Sequence, residues 1–173
     1  MKKLGTGVLI SVVTLLISCA GIPEGFTAVT DFDAERYLGK WYEIARFDFK
    51  FEKDLKNTTA EYSRNDDGTV KVLNRGFNYV KNEKEEAVGK AMFRGEPTVA
   101  ELKVSFFGPF YAGYNVVAID KDYQYALIVG DNKDYIWILS RTKTIPEDVK
   151  QSYIDIARKG GYDISRFVWV EHD

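Results

Sequence analysis

Between residues 39 and 142, apolar and polar positions alternate in short runs separated by Gly, Pro, Asn and Asp. A period of two sends successive side chains to opposite faces, so each run reads as a half-buried strand. The runs predict eight strands, over 39–48, 58–64, 69–80, 87–95, 100–106, 114–120, 125–130 and 134–142. Asn65-Asp66-Asp67-Gly68 is a hairpin signal, because Asp-Gly tolerates the positive φ of tight turns. Eight consecutive strands with short connections predict an all-β fold: an eight-stranded up-and-down antiparallel barrel, which closes its own edges. After residue 142 the period changes. Thr144 and Glu147 have capping-box spacing, Val149, Tyr153, Ile156 and Ala157 share one helical face, and Gly160-Gly161 ends it. One C-terminal α-helix packed outside the barrel is therefore expected, with 167–170 as a short closing strand.

Seven reversals bring the end of the eighth strand back to the end where the first begins, so Trp41 and Arg141 should meet there. A guanidinium can stack on an indole while its donors reach backbone carbonyls, which makes the pair a structural plug. Counting alternate residues from Arg141 turns Tyr135, Trp137 and Leu139 inward. Counting from Trp41 does the same for Glu43, Ala45 and Phe47. The second strand offers Ala60 and Tyr62, and the third Val72, Asn74 and Gly76. The fourth offers Gly89, Ala91 and Phe93, and the fifth Leu102, Val104 and Phe106. In the sixth, Tyr114, Val116 and Ala118 are favoured; the seventh, with Ala126 and Leu127 adjacent, leaves its inward face open.

Small residues at Ala45, Ala60, Gly76, Gly89 and Ala91 either leave room for a guest or relieve crowding in a tightly curved sheet. Inward polar groups are few. Glu43 could pair with Arg141 at the base, whereas Asn74 and the hydroxyls of Tyr62 and Tyr114 could bond a ligand head group or ordered water.

Gly39-x-Trp41 on the first strand, Arg141 closing the last and the helix beyond resemble the signature of the lipocalins. The likeness covers nearly all of the chain after residue 18 and is strongest to bacterial outer-membrane lipoproteins of that family. The resemblance implies a ligand cavity in place of a filled core. It also implies fatty acid or lysophospholipid binding, for lipid storage or transport in outer-membrane maintenance. The inward positions that would contact the ligand are Ala45, Phe47, Ala60, Tyr62, Asn74, Ala91, Phe93, Leu102, Val104, Phe106, Tyr114, Val116, Trp137 and Leu139. Trp41, Arg141 and Glu43 would form the structural base. An apolar channel one barrel long suits an acyl chain, whose burial contributes roughly 0.8 kcal/mol per CH₂.

The amino-terminal end adds an address. Lys2-Lys3 followed by the apolar run 8–17, too short to span a bilayer, reads as a secretory leader. Leu16-Ile17-Ser18-Cys19 resembles a bacterial lipobox, with Cys19 as the acylated first residue of the mature protein. The expected organisation is a signal peptide over 1–18, a tether over 19–32 and a lipocalin domain over 33–173. Ala20, in place of an Asp retention signal, implies by similarity the outer membrane, on its periplasmic face. Two or three acyl chains hold stably where one holds only marginally.

Composition narrows the remaining classes. An aromatic fraction of 14% fits a cavity walled by rings, and a net charge of −2 without a basic stripe argues against nucleic acid. The single histidine, His172, is next to last in the chain, which argues against a Ser-His-Asp arrangement and against haem. With Cys19 the single cysteine, neither an intrachain disulfide nor a His/Cys metal cluster is expected. The expectation is therefore a binding protein without catalytic residues, metal or cofactor. Phe47, Phe49 and Phe51 fall in one loop region of the open end, and Phe106, Phe107, Phe110 and Tyr111 in another. They could anchor loops, line a ligand entrance, or contact a second protomer or a membrane. The competing reading is a structural lipoprotein with a filled barrel that forms a homodimer through this rim.

Overall fold

The computed structural model describes residues 21–173. The expected signal peptide and the acylation site expected at Cys19 lie outside the described residues. A short helix, α1 (Ala34–Tyr37), leads into the strands β1 (Gly39–Phe47), β2 (Leu55–Arg64), β3 (Val70–Asn78) and β4 (Glu83–Phe93). There follow β5 (Glu101–Phe107), β6 (Phe110–Ile119), β7 (Tyr125–Val129) and β8 (Ile136–Ser140), then the helix α2 (Glu147–Lys159) and a last strand β9 (Phe167–Trp169). Each of β1 to β8 pairs antiparallel with its sequence neighbours, and β1 pairs with β8, so the barrel is closed. This is the architecture the alternation predicts. The hairpins reach further than the sequence pattern indicates, because β4 begins at Glu83 and β6 at Phe110, where both faces carry solvent-exposed side chains.

Two interiors result. One cluster fills the lower barrel around Trp41, Val72, Leu102 and Ile128. The second lies between the barrel's outer face and α2, around Phe47, Ile138, Tyr153 and Ala157. Val149, Tyr153, Ile156 and Ala157 all belong to this outer cluster, as the helical stripe predicts. The α2 cap differs from expectation. Helix α2 starts after Pro146, which supplies no side-chain cap, and Thr144 does not form a capping box. Proline disfavours helical backbone at the residue before it, so Ile145 and Thr144 stay outside, and the Thr144 carbonyl instead accepts from the Ser140 hydroxyl at 2.8 Å.

Strand β1 departs from simple alternation. Glu43 pairs with Leu139 but Ala45 with Ile138, so a β-bulge at Ile44 reverses the facing of the residues after it. Ala45 and Phe47 consequently point outward into the helix-side cluster and do not line the interior. A second shift between Val116 and Ala118 on β6 sends Ala118 to the same outer cluster. On its other edge β1 changes partner: Gly39 to Tyr42 pair with β2, and Ala45 to Phe47 with β9. The C-terminal tail continues across this gap, with Val170 N–H donating to Ile44 at 2.9 Å and Asn57 N–H to Glu171 at 2.8 Å.

The segment expected to be a tether is docked from Ile22 on. Ile22 and Phe26 join the outer cluster, while Ala28 and Phe32 are buried. Val29 donates to Val116 and accepts from Ala100, both at 2.9 Å, which ties the segment to β6 and to the start of β5.

Candidate functional site

The closed end follows from two local conformations. Gly39 has φ of +91°, a region that other residues rarely adopt, and this turns the chain from α1 into β1 with Trp41 pointing in. Arg141 then covers the Trp41 ring at 3.8 Å. Its donors reach the carbonyls of Lys40 at 2.9 Å, Arg36 at 2.7 Å and Tyr123 at 3.2 Å, while Trp41 Nε1 donates to Tyr37 at 2.8 Å. The floor is thus a stacked cation whose polar groups end on backbone.

Above it lies a cavity of about 500 Å³, within the usual range for small-molecule sites. Of the positions expected to contact a ligand, Ala60, Tyr62, Asn74, Ala91, Phe93 and Leu102 line it, as do Val104, Phe106, Tyr114, Trp137 and Leu139. Ala45 and Phe47 do not, because of the bulge at Ile44. Val116 faces inward but is sealed in the lower core, beneath the cavity. The small residues divide by role. Ala60 and Ala91 border open space, whereas a Cβ on Gly89 would meet the Phe106 ring at 2.8 Å. Gly89 therefore admits a ring of the wall and leaves no void for a guest.

Polar groups line the cavity at several places. Near the floor, the Tyr114 hydroxyl lies 2.6 Å from that of Tyr37 and 2.8 Å from that of Tyr62. Burial raises the pKa of all three hydroxyls, so they stay protonated and can donate. In the wall, the Asn74 Oδ1 is buried without a hydrogen-bond partner. At the seam between β1 and β2, Glu43 accepts from Arg46 Nη1 at 2.7 Å and from the Thr58 hydroxyl at 3.2 Å. This corrects the expected pairing of Glu43 with Arg141 at the base. The bulge brings Arg46 round to the inner side, next to Glu43, while Arg141 spends its donors on the floor carbonyls.

Two residues that the alternation misses are Arg46, which backs Glu43, and Glu52, which lines the cavity. Arg46, nearly fully buried, also donates to the Glu52 carbonyl at 2.6 Å and the Leu55 carbonyl at 3.3 Å. The Glu52 carboxylate accepts from Trp137 Nε1 at 3.1 Å and lies 3.9 Å from Arg46 Nε. Burial, and secondly the nearby Glu43 charge, push the Glu52 carboxyl well above the usual range; burial likewise raises Glu43, against the pull of Arg46. The available signal is Arg46 itself, a charge interrupting an otherwise apolar half-strand. His172 sits outside the cavity, its Nε2 donating to the Glu43 carbonyl at 2.8 Å beside the Tyr42 ring.

The rim combines Phe49, Phe51, Phe107, Phe110 and Tyr111 around the opening. Phe49 meets Tyr135 at 5.5 Å and Trp137 at 6.2 Å, so it anchors its loop. Phe51 meets Phe107 at 5.9 Å across the opening, yet both remain largely exposed.

Comparison with known proteins agrees with this geometry. Residues 32–172 match the lipocalin-like domain family. The outer membrane lipoprotein Blc of Escherichia coli strain K12 is 52% identical over 159 residues, covering 91% of this chain and 90% of that protein. Blc of Vibrio cholerae is 46% identical, over 91% and 92%. Apolipoprotein D of Cavia porcellus is 33% identical, over 82% and 77%. Among solved structures, insecticyanin from the tobacco hornworm superposes with a TM-score of 0.67 at 24% identity, over 88% of this chain and 86% of that one. Lobster apocrustacyanin A1 does so with 0.67 at 19%, over 88% and 93%. These two likenesses speak for the fold.

Proposed function

The chain belongs to the lipocalin family, and on that premise we propose that it is an outer-membrane lipoprotein that binds single-chain lipids, fatty acids or lysophospholipids, inside its barrel. Acylation of Cys19 would hold it on the periplasmic face, where it stores or carries such lipids as a non-enzymatic binder. The observation that carries this reading is the cavity of about 500 Å³, walled largely by rings and aliphatic side chains above the Trp41–Arg141 floor.

The physics is desolvation: an acyl chain leaves water for an existing apolar wall, at roughly 0.8 kcal/mol per CH₂. The unpartnered Asn74 Oδ1 needs a donor, which the glycerol hydroxyl of a lysophospholipid supplies and an ionised fatty acid does not. The open volume above the floor also weighs against the competing reading of a filled barrel.

The test is native mass spectrometry of delipidated protein mixed with lysophosphatidylethanolamine, alongside displacement of a fluorescent fatty acid. A one-to-one adduct and full displacement are expected. Absence of both would end the proposal.

A further inference from the structure

The tyrosine hydroxyls near the floor hold one proton more than their mutual contacts use. Tyr62 on β2 and Tyr114 on β6 stand four strands apart in a ring of eight, so they reach inward from opposite walls. Their hydroxyls meet at 2.8 Å. Tyr37, the last residue of α1, lies against Trp41 with ring centroids 5.0 Å apart, and its hydroxyl is 2.6 Å from that of Tyr114. The three hydroxyls thus form a bridge across the barrel with Tyr114 at its centre, and all three residues line the cavity.

Two contacts use two protons, whereas the bridge carries three, because burial keeps each hydroxyl protonated. Among the described residues these hydroxyls have no further hydrogen-bond partner. One O–H is therefore left over at the foot of a largely apolar cavity. A plain hydrocarbon chain lying over it takes away water and supplies no acceptor in return.

We infer that the bridge is a second polar subsite, which selects single-chain lipids carrying a hydroxyl on the acyl chain. This rests on the reading of the cavity as a lipid site and names the chain chemistry that the site prefers. A chain hydroxyl accepts the leftover proton and donates its own to a phenolic oxygen, so both groups are satisfied at once. An ionised carboxylate fits poorly, since a single donor does not replace its hydration. Arg141 offers it nothing more, because its donors end on the carbonyls of Lys40, Arg36 and Tyr123. The bridge reads the chain and leaves the head group to other parts of the cavity.

The experiment displaces a fluorescent fatty acid from delipidated full-length protein. The competitors are palmitic acid and palmitic acids hydroxylated near the carboxylate, at mid-chain or at the far end. One hydroxylated isomer is expected to bind about tenfold more tightly than palmitic acid, the gain of one well-placed hydrogen bond. The triple variant Tyr37→Phe/Tyr62→Phe/Tyr114→Phe removes all the partners together and keeps the ring shapes; there the preferred isomer and palmitic acid should bind alike. Tyr114→Phe alone frees donors on Tyr37 and Tyr62 and should keep the preference. If the triple variant does not fold, resonances of isotope-labelled tyrosine Cζ atoms decide. The preferred isomer must then shift those of Tyr37, Tyr62 and Tyr114 beyond what palmitic acid does, and equal shifts overturn the inference. Palmitic acid bound with no isomer preferred also overturns it, and is the result that an ordered water on the bridge would give. A preference that survives in the triple variant does so too, because the hydroxyl is then read elsewhere. Failure of palmitic acid and of every isomer to displace the probe is a different result: it removes the lipid reading itself, and this subsite with it.

Discussion

The two ends of this barrel are built on opposite rules. At the floor, one arginine lies on one indole and gives its donors to three backbone carbonyls, an arrangement in which no acid is needed. Towards the mouth, the buried Glu43, the half-buried Glu52 and the exposed Asp48 share the guanidinium of Arg46, and several rings face solvent. The floor places its strong polar groups on fixed partners and gains stability. The mouth leaves charge and apolar surface only partly satisfied, which is a cost unless something binds there. Persistence and exchange are therefore separated along the barrel axis.

Arg46→Met tests this contrast hardest. It strands Glu43 as a buried carboxylate without a counter-charge, and the expected loss is about 3–5 kcal/mol, read from urea unfolding. Adding Glu43→Gln should recover much of it, and an unchanged midpoint in the single variant would show that the seam holds without its ion pair. Arg141→Ala comes next, losing the stack and three charge-assisted bonds for about 2–4 kcal/mol in the same titration. Arg141→Lys should not restore it, because an ammonium cannot cover the indole and reach three carbonyls together.

Glu52→Gln is smaller and opposite in sign. The folded state holds on Glu52 a proton that the unfolded chain releases above the ordinary value of 4.5. That stability is present below this pH and is lost as pH rises through the raised folded value. The amide keeps an acceptor for Trp137, so thermal melts from acid to neutral pH should show a higher midpoint near neutrality and a flatter slope. Phe110→Ser should move stability least, within about 0.5 kcal/mol, since the ring is exposed. A large loss there would mean that the mouth is as structural as the floor.

Much of this was legible in the chain. Turn counting alone brings Trp41 to Arg141, and parity places Ala60, Tyr62, Leu102, Tyr114 and Trp137 along the cavity wall. The misses on β1 have a common cause. Parity assumes an unbroken ladder, and the bulge at Ile44 inserts one residue, which turns Ala45 and Phe47 out and Arg46 in. Bulges carry no residue-type signature when the inserted position is an ordinary isoleucine. The docking of 22–32 was hidden for another reason: Val29 bonds to Val116 and Ala100 and Phe32 to Thr98, partners brought there by the tertiary fold and not by the local pattern. The capping box failed because Pro146 outranks a favourable spacing.

The pairing of β1 with β8 has a consequence for the order of assembly. The other barrel pairings join strands adjacent in sequence, whereas Tyr42 meets Ser140 from about a hundred positions away. The chain can therefore zip from β2 to β8 as a meander at little entropic cost. Closing the cylinder then demands one long-range encounter, which the arginine-on-indole clasp sits ready to capture.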